Sequence, residues 1–502
     1  MASTALRKLP RFPGRRSARK SARKRAVETD DIQSLVLQGY GKLRAAAYVV
    51  LELTDGAQAR SWLEGLLPEI SVGGTRPRVA AVNVAFTAAG LTRLGLTDRT
   101  TSGFSLEFLE GMTSAHRSRL LGDEGAAAPE HWSWGGPGDS EVHALLLVFA
   151  LDETALAESL TRHRMEAAAY GLREVAVLDT QDIGRGEHFG FRDGLSQPTM
   201  KGVGPTGPGM QEVAPGEFLL GYLNEHGQHS RSPLVVAGDD PAQVLPEREK
   251  GSGATSAHVG PEEVDAHDFG RNGSYLVVRT LDQDVGAFWR FAESASHGPD
   301  GRAGPAARTA FAAHLMGRWP SGAPLTRSPD ADRPELADDN DFGYDAADRD
   351  GLRCPVGAHV RRANPRDTLP PKPGTSASID VGKRHRLLRR GRPYGPPVDP
   401  EQALTEGPES ARRGLHFIAL CADIARQFEF ISHTWVKNPN FAGLLDDADP
   451  VLGGHLTRGT SFTIQQDPLR RRVREVPPFV TVRGGAYFFL PGARALRFLA
   501  RS

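Results

Sequence analysis

Apolar and polar positions fall into two sets of elements separated by a long polar stretch. In the first set, 46–54 (AAYVVLELT) is β-branched and apolar between polar flanks, which predicts a buried strand. Residues 58–67 carry apolar positions at helical spacing, and 79–87 (VAAVNVAFT) predicts a second strand. A third strand is expected over 145–151 (LLLVFAL), an amphipathic helix over 153–169 and a fourth strand over 173–178. That order, β-α-β followed by β-α-β, is the order of a split βαβ, ferredoxin-like unit.

Residues 200–272 are rich in Gly, Pro and polar residues, so they read as a long connection with a boundary near residue 270. The second set then begins. Strands are predicted over 274–281 and 415–421, and helices over 282–296, 306–316 and 422–435. The last strand, 479–490 (FVTVRGGAYFFL), is expected to be interrupted at Gly484-Gly485. Residues 317–344 and 364–381 read as loops. The two sets share an element order without a residue-level repeat. The expected fold is therefore α+β: two ferredoxin-like halves, 31–270 and 271–502, with antiparallel sheets and peripheral helices.

Length and charge refine this picture. A chain of 502 residues has room for two domains, and 39% hydrophobic residues suffice for a sizeable core, which excludes global disorder. Formal net charge is zero, yet residues 1–26 carry ten Lys or Arg and no acid, so the remainder sums to −10. An acidic body of this kind implies no nucleic-acid partner, and residues 1–30 read as a disordered basic tail. Arg15-Arg16-Ser17 is similar to a twin-arginine export signal, but 18–25 (ARKSARKR) is too charged to serve as the apolar region that must follow. The expectation is an unprocessed, cytoplasmic protein. No apolar run approaches the roughly 18 residues of a membrane span. Cys354 and Cys421, the two cysteines, make neither a disulfide framework nor a Cys-rich zinc site.

Three segments concentrate reactive residue types. In 187–198 (EHFGFRDGLSQP), glycines at 190 and 194 bracket Asp193, so the backbone can carry an aspartate close to a ligand; a tight turn capped by Asp193 itself is the plainer reading. In 354–366 (CPVGAHVRRANPR), His359 follows two small residues that would let a flat group approach the backbone. Arg361, Arg362 and Arg366 suit carboxylate recognition, although a surface histidine in a basic loop accounts for the same residues. The third, 384–395 (RHRLLRRGRPYG), surrounds a short apolar pair with cations and reads as a solvated edge or an anion site.

Together and in this order, the segments resemble the dye-decolourising peroxidases. That family carries a Gly-x-x-Asp-Gly motif, matched by 190–194 (GFRDG), then an axial histidine in a run matched by CPVGAHVRRANPR. An arginine before a Gly-x-Pro-Tyr-Gly turn follows. The likeness extends through 31–40 (DIQSLVLQGY), 340–344 (NDFGY), 422–435 (ADIARQFEFISHTW) and 487–492 (YFFLPG), covers nearly the whole chain after residue 30, and is strongest to the larger members. It implies a haem b peroxidase whose two halves pack around the haem. Covalent c-type attachment is excluded because no Cys-x-x-Cys-His run exists.

By resemblance, His359 is the axial iron ligand and His188 the next histidine to test. Asp193 is the distal acid–base residue and Arg389 the distal arginine, with the adjacent Arg390 open to confusion with it. Arg361 falls to cofactor binding, and Leu415 and Phe417 lie over the distal face, with His416 pointing away by alternation. Asp449 is the carboxylate paired with the axial histidine, with Asp423 as the alternative. Tyr394 and Trp435 are candidates to relay electrons from the surface, or ordinary packing aromatics. The implied reactants are hydrogen peroxide and organic reductants such as dyes and phenols. Three other readings stand: a chlorite-decomposing haem chemistry, non-enzymatic haem handling with iron release, and a packaged cargo. Intact Asp193 and Arg389 argue against a pure haem carrier, and the absence of an extended tail after Ala500 argues against packaging. The sequence leaves open the natural reductant, manganese oxidation and whether the chain forms a homo-oligomer.

Overall fold

In the computed structural model, the structure describes residues 26–74, 76–138, 140–204, 210–248, 266–297, 304–407, 411–453 and 460–501. The basic run ending at Arg25 lies outside the described residues. Glu28 and Asp31, at the expected edge of that tail, are tied to the body by Arg271, Asn272 and Arg494.

Nine strands form one antiparallel sheet. Four come from the first set: β1 (Ala45–Glu52), β2 (Ala80–Phe86), β3 (Ala144–Ala150) and β4 (Arg173–Asp179). Five come from the second: β5 (Ser274–Gln283), β6 (Leu388–Arg389), β7 (Arg392–Tyr394), β8 (Gly414–Cys421) and β9 (Val480–Leu490). The sheet order is β6-β8-β5-β9-β2-β3-β1-β4, with β7 also paired to β8. Each half thus runs fourth–first–third–second, the order of a split βαβ unit. The halves meet where β9 pairs with β2 through Phe489 and Phe86.

Alternation along the strands sorts side chains into two layers. On one face Val49, Val277, Ala419 and Phe489 pack with α1 (Gly56–Leu66), α2 (Glu153–Ala169) and the carboxyl-terminal helix Ala493–Arg501. On the other, Tyr48, Leu276, Ile418 and Phe488 meet Ile32, Leu35, Phe218 and Tyr222. A third core joins α3 (Val285–Ala295) and α4 (Pro305–Met316) to Phe189, Phe191, Ala358 and Phe479.

Four local expectations need correction. The basic run at 384–395 contains β6 and β7, because its outer arginines bond to backbone carbonyls while Leu388 is buried. The loop expected over 364–381 ends in a helix, Ser376–Lys383. The helix expected over 422–435 is two π-helical segments, Ala425–Glu429 and Ile431–Val436, and the Gln427 amide accepts the Ala422 and Asp423 N–H groups ahead of them. Strand β9 continues through Gly484-Gly485 with a register shift between Val482 and Gly484. A Cβ at Gly484 would lie 2.3 Å from the Trp134 indole nitrogen, which is why the position lacks a side chain.

The helical face also holds a buried ion pair. Arg117 bonds to Glu429 at 2.7 Å, and Glu429 accepts a further hydrogen bond from the Tyr487 hydroxyl at 2.9 Å. Arg117→Met should leave Glu429 buried without its cation and lower stability by about 3–5 kcal/mol. Urea denaturation of the haem-free chain checks this; an unchanged midpoint would contradict it.

Candidate functional site

His359 opens the short helix α5 (His359–Ala363) with Ala358 as its N-cap. The close approach of α4 to this turn depends on Gly317, whose φ is +93° and where a Cβ would lie 2.5 Å from Val360. The His359 Nδ1 lies 2.9 Å from Asp449 Oδ2, and Asp449 Oδ1 accepts the Val451 and Leu452 N–H groups at 2.9 Å each. A carboxylate can only accept here, so Nδ1 carries a proton, and Nε2 is the ring nitrogen left to ligate a metal once it is deprotonated. Burial alone would lower the His359 pKa, but the charge and hydrogen bond of Asp449 outweigh it and the net shift is upward. Burial likewise pushes the Asp449 carboxyl up, and His359 and Arg362 together bring it below its ordinary value. Asp423 caps its own helix through Arg426.

Arg362, fully buried, clamps this arrangement. It donates to the carbonyls of Gly357, Trp435, Asn438 and Asp447, joining α5 to the segment that leads into Asp449.

Across the site, Asp193 sits in a turn bounded by Gly190 (φ +89°) and Gly194 (φ +74°), conformations that favour glycine. Its N–H donates to the Arg185 carbonyl at 2.9 Å, and no hydrogen bond from a described residue reaches its carboxylate. Arg389 leans against the continuation of this loop: its guanidinium donates to the Leu195 carbonyl at 2.6 Å and its N–H to Gln197 Oε1 at 3.2 Å. Register separates the neighbouring pair of arginines. Arg389 pairs with Ala419 and shares a face with Phe417 and Leu415, whereas Arg390 turns to the opposite face and donates to the Leu35 and Val36 carbonyls. His416 also faces the opposite layer, between the Asp179 carbonyl and Thr280. His188 is buried against the Tyr394 carbonyl.

The structure places Arg361 away from the site. Its guanidinium is spent on Asp348 and the carbonyls of Cys354, Asp348 and Arg349, stacked 4.5 Å over Tyr344. Among the described residues, Arg389 acts electrostatically on His359, and Arg366 and Arg386 lie close to Arg389. Arg366 and Arg386 donate only to neutral acceptors, among them Ser196, Gln211, Asn340 and Asn364. Burial, then the positive charges of Arg366 and Arg389, hold the Arg386 pKa down at about 9. Buried cations without a carboxylate partner leave a strong positive potential, suited to an anionic ligand. Arg366 was legible in the histidine motif seven positions after His359; Arg386 gave no signal beyond the density of charge around it. Of the two relay candidates, Trp435 is buried against His385 and Phe430, whereas half-buried Tyr394 stacks on His416 with its hydroxyl on Asp282.

These residues fit a haem. His359 offers Nε2 beside the small Gly357 and Ala358, half-buried Leu415 and Phe417 share a face with Arg389, and the unpaired cations match two propionates.

Comparison with known proteins agrees. No family model matches the chain. It is 30% identical over 526 residues to a dye-decolourising peroxidase of Mycena epipterygia, covering 95% of this chain and 87% of that one. It is 29% identical over 534 residues to the dye-decolourising peroxidase msp1 of Mycetinis scorodonius, covering 98% and 92%. Among solved structures, a dye-decolourising peroxidase in complex with 2,6-dimethoxyphenol superposes with a TM-score of 0.74 at 26% identity, covering 94% of this chain and all of that one.

Proposed function

This chain belongs to the dye-decolourising peroxidase family and is a haem peroxidase, and from that premise we propose how its residues divide the work. His359 holds the iron of haem b through Nε2. The observation that carries this reading is the His359–Asp449 hydrogen bond, which holds the imidazole through Nδ1 and leaves Nε2 without a hydrogen-bond partner among the described residues. Arg366 and Arg386, rather than Arg361, hold the propionates. When bound, haem supplies a ferric iron that binds hydrogen peroxide and then draws single electrons from organic donors.

The protein contributes the proton and the charge. Asp193, whose carboxylate accepts no hydrogen bond from the described residues, would take a proton from hydrogen peroxide and return it to the oxygen that leaves as water. Arg389 stabilises the negative charge that develops on the departing oxygen, from a position fixed beforehand by Leu195 and Gln197. Asp449 makes His359 a stronger donor to the metal. Leu415 and Phe417 keep water from the reacting oxygen atoms.

The test is to load purified protein with haem and supply peroxide with 2,6-dimethoxyphenol as donor. A histidine-ligated ferric spectrum and peroxide-dependent oxidation of the phenol are expected. Stable haem binding without turnover would favour haem handling instead. Asp449→Asn should lower haem affinity or turnover by about 10–100-fold, the usual cost of losing a carboxylate behind a ligating histidine; haem titration and turnover measure it.

Among the described residues, no helix is long and apolar enough to cross a membrane. We place the protein in the cytoplasm, a reading supported by Cys354 and Cys421 both being unpaired.

A further inference from the structure

The Asp193 loop is organised around a single side chain. Glu187 uses four of its atoms on the loop. Its N–H donates to the Phe191 carbonyl at 2.9 Å, and its carbonyl accepts the Gly190 N–H at 2.8 Å. Its carboxylate accepts the Phe189 N–H at 2.9 Å and the Phe191 N–H at 3.0 Å. A third donor, Gln283 Nε2 at 2.8 Å, comes from the end of β5 in the other half of the sheet. The rings of Phe189 and Phe191 are buried on Phe288 and Trp289, so the backbone between them has little freedom once the carboxylate is in place.

We propose that Glu187 is the positioning residue of the distal site: its carboxylate closes the turn that carries Asp193 and locks that turn to β5 through Gln283. The proposal rests on the assignment of Asp193 as proton shuttle. Glu187 is well suited to do more than brace, because no Lys or Arg of the described residues pairs with it. Among the charged or titratable groups near it, Asp193 and His188 lie on its own loop and His359 feels its charge, while Gln283 is neutral. Burial outweighs the three donors and lifts the Glu187 carboxyl to about 7. Above that pH the ionised carboxylate binds the Phe189 and Phe191 N–H groups most strongly; below it the protonated acid holds them less. The Gln283 amide is placed to serve both states. Its Oε1 has no hydrogen-bond partner, and a turned amide would accept the acid's proton there. Asp193 is therefore held more firmly on the alkaline side of neutrality.

Glu187→Gln, Glu187→Asp and Gln283→Leu test this, read in two ways. Amide hydrogen exchange over 185–194 in the haem-free chain reports the loop without any catalysis. The wild type should exchange more slowly above pH 7 than below it after correction for intrinsic rates. Glu187→Gln should exchange faster and lose the step, because its amide cannot titrate. Glu187→Asp should keep a step while exchanging faster. In the haem-loaded protein, Glu187→Gln should react with peroxide about 10–100-fold more slowly, as expected of a displaced catalytic group, with KM for the organic donor little changed. Gln283→Leu, which leaves Glu187 in place, should move the step to higher pH by removing a donor to the ionised form; it also serves if Glu187→Gln does not fold. Wild-type exchange and peroxide kinetics in Glu187→Gln, or an unmoved step in Gln283→Leu, would overturn the proposal. If exchange responds as described while Asp193→Asn reacts with peroxide normally, the positioning of the loop stands and the shuttle assignment falls.

Discussion

His359→Ala is expected to strip the chain of most of its haem, or to leave haem whose absorption spectrum lacks histidine ligation. The loss of turnover should exceed the 10–100-fold that removal of an outer partner costs, since the metal–ligand bond itself is gone. Folding of the haem-free chain should change little. The histidine contributes one residue of a five-residue helix, and Arg362 continues to bridge α5 to the segment before Asp449. Asp449, however, would be left without its His359 partner in a buried position, with Val451 and Leu452 N–H groups still bonded to it. Haem content by pyridine haemochrome and the Soret band measure the outcome. A variant with the wild-type band and haem content would move the ligand elsewhere, and His188, buried against the Tyr394 carbonyl, would be examined next.

Asp193→Asn should slow the reaction with peroxide by about 10²–10⁴, the range for loss of a positioned proton carrier. Arg389→Leu should cost about 10²–10³ by analogy with donors to a developing oxyanion. These ranges overlap, so the pH dependence of the pre-steady-state reaction must separate the roles. A guanidinium stays charged over the accessible range, so Arg389→Leu should keep the acidic limb that a carboxylate produces. Asp193→Asn should flatten that limb. A step near pH 7 due to Glu187 should persist in both variants, which distinguishes it from the shuttle. Because Asp193 and Arg389 act on one transition state, the double variant should lose less than the sum of the single losses. A wild-type rate and intact acidic limb in Asp193→Asn would make Arg389 or water the agent of proton transfer.

The strands of the first half were legible because their apolar positions run almost unbroken between polar flanks, as in 46–54 and 145–151. The second strand of the other half was not, since β6 and β7 are built from arginines whose charges are absorbed by carbonyls far away in sequence, such as Leu35 and Leu43. Charge density there signals solvent to a reader of sequence, and only the tertiary fold supplies the acceptors. The histidine and aspartate loops were found through motif order rather than through any local physical cue. The same motif drew attention to Arg361, and a run of arginines does not say which one faces a ligand. Position on α5 separates them: Arg361 bonds back to Asp348, whereas Arg366, beyond the helix, bonds to the Asn340 carbonyl and is the one we propose for a propionate. Glu187 was in plain view in its loop, but its importance lies in three donors, one of them 96 residues distant.

The backbone pairing between the two halves is narrow, one ladder pair at Phe86 and Phe489, although side chains of both halves share the cores on either face, and the site draws on both sides of it. The loop bearing Asp193 comes from before residue 270; Gln283, His359, Arg389 and Asp449 come from after it. The two halves must consequently match each other for the site to form. A chimera that crosses over near residue 270 between two relatives could preserve each half's strand order and still bring together a loop and an anchor that never drifted in company. Exchange between lineages should be tolerated in the edge strand β4 far more readily than across this seam, where substitutions in contact do not add independently.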